Sequence, residues 1–183
     1  MKIKLSDFVI EFLKAKGVKT FFTVSGGASL HLINSVKKND NLRYVCNHHE
    51  QAAACAADGY ARTRNDIGCA IVTSGPGATN LITGIASSFF DSIPVIYLTG
   101  QTSSKRSLKN SNVRQIGFQE TKIVDIVKPI TKYSVKVEDP YLIKYYLEKA
   151  YQISLTDRKG PVLIDIPDDY QYKIIDTNKL KIK

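Results

Sequence analysis

The chain has 183 residues, a net charge of +9, and 43% apolar against 23% charged residues, which excludes a disordered or fibrous chain and fits one domain with a sizeable core. Twenty of the 26 cationic residues are Lys, scattered between apolar positions, a solvated surface rather than the Arg- and aromatic-rich cluster of a nucleic-acid reader. No apolar run approaches the roughly 20 residues of a membrane helix, and the N-terminus has no signal-peptide centre, so no membrane partner is expected; three cysteines without zinc or disulfide spacing fit a reducing, cytoplasmic compartment.

Helix and strand signals alternate along the chain. Leu5, Phe8, Val9, Phe12 and Leu13 fall at helical spacing, with Ser6 as N-cap and Gly17 as the stop. Thr20–Val24 reads as a strand, followed by Gly26-Gly27 and a helix through Leu30, Ile33 and Val36. Leu42–Cys46 is a strand, 50–64 an Ala-rich helix, and Ile67–Thr73 a strand leading into Ser74-Gly75-Pro76-Gly77. A helix over 78–90 and a buried strand over 94–99 follow. Residues 101–117 are polar and without period, as in a mobile loop. Then come a helix over 123–127, a strand over 130–137 and a helix opened by Asp139-Pro140, with Ile143, Tyr146, Leu147 and Ala150 on one face. The last strand is Val162–Ile166, closed by Pro167. Six strands separated by helices predict a three-layer α/β/α domain over 1–171 with a mostly parallel sheet. Residues 172–183, rich in Lys, read as a linker-like tail.

In such sheets ligands bind beyond the carboxyl ends of the strands. That rule selects Val24–Gly27, Asn47–Glu50, Thr73–Asn80 and Thr99–Gln101. Glu50 has two readings: the far end of a capping box begun by Asn47, or a catalytic carboxyl raised in pKa by partial burial. The Thr73–Asn80 turn offers glycine flexibility and a helix N-terminus. It is neither a P-loop nor G-x-G-x-x-G, and a plain tight turn is the alternative. The run Ala52–Ala57, five alanines around Cys55, suits close backbone approach, at a subunit interface or beneath a cofactor; a tightly packed helix within the monomer is the alternative. Cys46, Cys55 and Cys69 have neither zinc nor disulfide spacing. His31 reads as structural or surface; His48 and His49 flank Glu50. Phe118-Gln119-Glu120 reads as a helix start with Phe118 packed inward.

Taken in order, several stretches resemble the N-terminal, pyrimidine-binding domain of thiamine-diphosphate enzymes of the acetolactate synthase type. They are Ser25–Ala28, His49–Ala53, Ala56–Arg62, Thr73–Asn80, Asp91–Pro94, Thr99–Gln101, Phe118–Glu120, Lys128–Lys132 and Gly160–Pro167. Each is weak alone; their order and spacing are specific. The resemblance implies that Glu50 is the activating glutamate, whose carboxyl group hydrogen-bonds N1′ of the aminopyrimidine and favours the tautomer that takes the proton from thiazolium C2. It implies that Ser25, Gly26 and Gly27 lie near the pyrimidine. Thr73, Pro76, Gly77 and Asn80 would line its pocket. Phe118 and Gln119 would face the substrate channel, and Arg158 would match a position that contacts FAD. The sequence departs from the family at Ser25 (usually Pro), His48 (usually Arg) and Lys159 (usually Pro), so FAD stays open.

By the same resemblance the diphosphate would be held through Mg²⁺ by a second domain with a Gly-Asp-Gly motif, and this sequence has none. The chain is therefore expected to be the cofactor-activating part of a transferase or lyase acting on 2-keto acids by decarboxylation and carboligation, inactive alone. A diphosphate-binding domain and a homodimer or higher oligomer are the expected partners. An excised domain is expected from the ending at Lys183. The alternatives are a free-standing subunit of a two-subunit 2-keto-acid decarboxylase, a non-catalytic nucleotide- or phosphate-binding module built on Ser74–Gly77, or a structural oligomerisation domain.

Overall fold

The computed structural model describes residues 1–108 and 112–181. In chain order the elements are β1 (Lys2–Lys4), α1 (Leu5–Ala15), β2 (Thr20–Thr23), α2 (Leu30–Lys37), β3 (Arg43–Cys46), α3 (Glu50–Arg64), β4 (Gly68–Val72), α4 (Pro76–Thr79), α5 (Ile82–Phe90) and β5 (Val95–Gln101). They continue with α6 (Ile123–Val127), β6 (Tyr133–Lys136), α7 (Ile143–Leu155), β7 (Val162–Pro167), α8 (Asp168–Gln171) and β8 (Ile174–Asp176).

Six strands form one sheet in the order β3-β2-β4-β5-β7-β6, and every pair is parallel. Alternation along each strand feeds two cores. Cys69 and Ile71 of β4 and Ile96 and Leu98 of β5 meet α1, α2 and α7 on one face. Ala70, Val72, Val95 and Tyr97 meet α3, α5 and α6 on the other. The expected three-layer α/β/α arrangement is thus observed. The chain leaves β2 to one side for β3 and crosses to the other side for β4, which opens a crevice between the carboxyl ends of β2 and β4.

Small residues let the second layer close. A Cβ on Gly84 of α5 would stand 2.3 Å from Ala54 Cβ, and one on Gly68 would stand 2.1 Å from the Ala57 carbonyl oxygen. Ala53, Ala54, Ala57 and Ala61 are buried in this single chain, so close packing within the chain accounts for half of the Ala-rich helix. Its other face, Gln51, Ala52 and Cys55, is exposed.

Several short elements depart from expectation. Ser6 is not the N-cap of α1; β1 runs directly into the helix, and the Leu5 amide donates to the Lys173 carbonyl at 2.9 Å. The helix expected over 78–90 breaks into α4 and α5, where Leu81 N–H turns to the carbonyl three residues back. The linker-like reading of 172–183 fails for its first part, since β8 pairs antiparallel with β1 and Ile175 is wholly buried; residues 182 and 183 lie outside the described residues. Of the polar 101–117 stretch, Gln101 closes β5 and Ser104–Arg106 form a single 3-10 turn. Residues 109–111 lie outside the described residues. Gly17, with φ +93°, stops α1 as expected.

Candidate active site

Three connections converge on the crevice. The first leaves β2 through Val24–Gly26 into a 3-10 turn, Gly27–Ser29. This turn rests on β5 because Gly100 has no side chain, a Cβ there reaching 2.0 Å from the Ala28 oxygen. The second leaves β4 through Thr73-Ser74-Gly75, with φ +61° at Gly75, into α4 with Pro76 in its first turn. The third is the start of α3, where His49 Nδ1 accepts from the Gln51 amide at 3.2 Å.

Thr73 is the hub of the cluster. Its Oγ1 accepts from the Ala28 amide at 3.2 Å. A Cβ on Gly26 would stand 2.4 Å from Thr73 Cβ, and one on Gly77 would stand 2.7 Å from Thr73 Cγ2 and 3.4 Å from Glu50 Oε1. Two glycines from different connections therefore bring backbone against one threonine, beside one carboxylate.

Glu50 is 9% exposed. Its Oε2 accepts from Asn80 Nδ2 at 2.9 Å, while no described residue donates to Oε1. The capping-box reading fails. His49 is the cap, the Asn47 amide donates to the Thr23 carbonyl in the sheet, and the Glu50 carboxyl turns away toward Asn80. What results is a buried carboxyl group with one oxygen anchored and the other free to bond a ligand. The Ser74–Gly77 turn carries the start of α4. Pro76 has no N–H, and those of Gly77, Thr79 and Asn80 are bonded to Ser74, Gly75 and Pro76 carbonyls.

Beside this cluster is a cavity of about 280 Å³ whose lining includes Gly27, Thr73, Thr102, Gly117, Phe118 and Gln119. Phe118 is 82% exposed and Gln119 has φ +55°, so the expected helix start with an inward Phe118 is not formed. The helix begins five residues after Phe118, at Ile123. Two polar atoms of residues lining this cavity, Thr102 Oγ1 and Asp168 Oδ1, are buried without a hydrogen-bond partner.

The structure thus brings together Gly26, Gly27, Glu50, Thr73, Gly77 and Asn80, with Phe118 and Gln119 on the neighbouring wall. Ser25 and Pro76 are exposed on the same connections. Arg158 stands apart. It precedes β7, at the other end of the strands, and donates to Ser92 Oγ at 2.6 Å and the Phe90 carbonyl at 3.3 Å. His48 is exposed, and the His31 ring meets Tyr172 edge-to-face. Asp58, Arg62 and Asp91 form an ion-paired triad with Ser88 Oγ also donating to Asp58, joining α3 to the end of α5.

Two carboxyl groups escaped the sequence reading. Asp165 of β7 is wholly buried beside a cavity of about 510 Å³, accepting from Thr99 Oγ1 at 2.7 Å and Gln101 Nε2 at 2.8 Å. Burial pushes its pKa up to about 7, against the pull of those two bonds and of Lys136. Glu120 gathers the ends of the polar loop. The only sequence signal for either was its place inside a motif.

Comparison with known proteins follows the same lines. The model of the thiamine pyrophosphate enzyme N-terminal TPP binding domain matches residues 3–126. The probable acetolactate synthase large subunit of Methanocaldococcus jannaschii is 42% identical over 180 residues, 98% of this chain and 29% of that protein. The chloroplastic acetolactate synthase of Arabidopsis thaliana is 39% identical over 93% of this chain and 25% of its own length. The acetolactate synthase large subunit of Haemophilus influenzae is 39% identical over 92% of this chain and 28% of its own length. The chain spans between a quarter and three tenths of the length of these relatives.

Proposed function

Since the chain belongs to the thiamine pyrophosphate enzyme family through its N-terminal TPP binding domain, we propose that the Glu50 cluster receives the aminopyrimidine of thiamine diphosphate and that Glu50 is its activating carboxyl group. The free Oε1 is the atom that shares a proton with the ring, and Asn80 holds the other oxygen so that the carboxyl cannot rotate away. Gly26, Gly77 and Thr73 shape the pocket walls, with Ser25, Gly27 and Pro76 at its rim. Phe118 and Gln119 border the path of the substrate. When bound, the cofactor supplies the electron sink for making or breaking bonds next to a carbonyl; the protein's part is orientation and electrostatics.

In this reading the whole protein acts on 2-keto acids with acetolactate-synthase-like chemistry. The diphosphate and its Mg²⁺ are held by another stretch of polypeptide or a partner subunit. This sequence has no Gly-Asp-Gly. Two chains associate to complete the site. FAD, where bound, meets Arg158, whose groove of about 390 Å³ sets Lys132 and Lys159 beside Phe89 and Phe90 and suits a flat anionic group.

The observation that carries this reading is the half-bonded, buried Glu50 carboxyl at the sheet's crevice. In the protein assembled with its diphosphate-binding half, Glu50→Gln is expected to lower 2-keto-acid turnover by at least about a hundredfold, the scale of a lost acid–base group, with the melting temperature little changed. Turnover near the wild-type rate would refute it.

A further inference from the structure

Glu120 takes no part in the reading above, yet among the described residues four hydrogen bonds converge on its carboxylate. On the outgoing limb of the polar loop, Ser107 Oγ and the Leu108 amide donate to Oε1 at 2.8 and 2.6 Å. On the return limb, the Ile116 and Gly117 amides donate to Oε2 at 3.3 and 3.2 Å. Each oxygen serves one limb. Partial burial works to raise the pKa of this group, but the bonds outweigh it and hold the carboxyl below its ordinary range. Lys136 extends the arrangement to the sheet by donating to Ser107 Oγ.

The return limb is pressed against the site at two points. A Cβ on Gly117 would stand 2.7 Å from the Thr102 side chain, and one on Gly75 would stand 2.6 Å from Gln119 Cβ. Between these points stands Phe118, 82% exposed. With so little packing of its own, its place is set by the backbone on either side, and that backbone is fixed by Glu120 and Gly75. The cavity it borders shares Gly27 and Thr73 with the Glu50 cluster.

We propose that Glu120 is a positioning residue: by clasping both limbs it sets where Phe118 and Gln119 stand over the cavity, and so determines how large a 2-keto acid enters. This rests on the reading of Glu50 given above. A carboxylate is needed because both oxygens must accept; a glutamine would turn an NH₂ toward one pair of donors.

The test is Glu120→Gln in the complete protein with its diphosphate-binding half, assayed on 2-keto acids of three and five carbons. Hydrogen exchange at Leu108, Ile116 and Gly117 should accelerate by about tenfold or more. KM should rise with kcat nearly unchanged, and the kcat/KM ratio between the two acids should shift by about tenfold, the worth of a methylene or two in a pocket. Thiamine-diphosphate affinity should stay within about twofold, because no cofactor contact is lost. Gly117→Ala keeps the carboxylate but forces the limb off Thr102, and should shift the same ratio; it carries the test if Glu120→Gln fails to fold. An unchanged ratio in both variants overturns the proposal, as does a parallel loss of kcat and cofactor affinity with the ratio intact. Should Glu50→Gln retain turnover while the ratio shifts, the cofactor reading fails and the clasp stands.

Discussion

Asp165 lies on β7 with no cation bonded to it among the described residues, and its two oxygens accept from Thr99 and Gln101. With a pKa near 7 in the folded chain against an ordinary 3.8, its proton is held more tightly folded than unfolded. The stability this contributes is complete below about pH 4 and is lost as pH rises through 7. The full shift corresponds to at most about 4 kcal/mol. Denaturant titrations at pH 5 and pH 8 should therefore show wild type losing stability with pH, and Asp165→Asn, which has no charge to bury, losing less. A slope identical in the two proteins would contradict this. At the same scale, Glu50 was legible because Gly-rich turns flanked it in a fixed order. Its alternative as a cap was equally consistent with the sequence, since Asn47 and Glu50 have capping-box spacing whichever way the carboxyl turns. The His49 side chain on the Gln51 amide, the Asn47 amide on Thr23 and the carboxyl turned to Asn80 exclude the cap. Asp165 and Glu120 were not legible as hubs. The partners of Asp165 are 64 and 66 residues away in sequence, and the bonds of Glu120 depend on a loop without periodic signal.

The contact of α3 with α5 is set by two small residues. Replacing Gly84 with Ala puts a methyl group 2.3 Å from Ala54 Cβ, and overpacking of this kind costs about 1–3 kcal/mol. Ala54→Gly in the same background should recover part of that loss, beyond what the two single changes predict, because the residues touch. A double-mutant cycle in urea measures it; simple additivity would show that the helices separate freely. Helix and strand types were legible here wherever the period was long. Residues 50–64 form the helix read from sequence, and Ile143, Tyr146, Leu147 and Ala150 are its buried face on α7. The break between α4 and α5 was not, because Asn80 has ordinary helical dihedrals and the interruption is one tightened hydrogen bond. Nor were β1 and β8, each three residues long and too short for alternation to register.

Across the whole molecule, alternating elements announced a parallel sheet, but the order of its strands was not in the sequence. Adjacency depends on which crossover lies next to which, and the crevice that gathers residues 26, 50, 73, 77 and 80 follows from that order. The pairing of β1 with β8 has its own test. Ile175 is wholly buried, so Ile175→Ala should cost about 2–5 kcal/mol, a fall of roughly 5–15 °C in melting temperature for a chain of this size. A loosely attached tail would show no change. This pairing also bears on how the chain is made. The first amide of α1 is satisfied by the carbonyl of Lys173, and the amino terminus reaches Asp176 and Thr177. On a ribosome that emits the chain from its amino end, the opening helix must leave the exit tunnel and wait, unfinished at its first turn, until synthesis has passed Lys173.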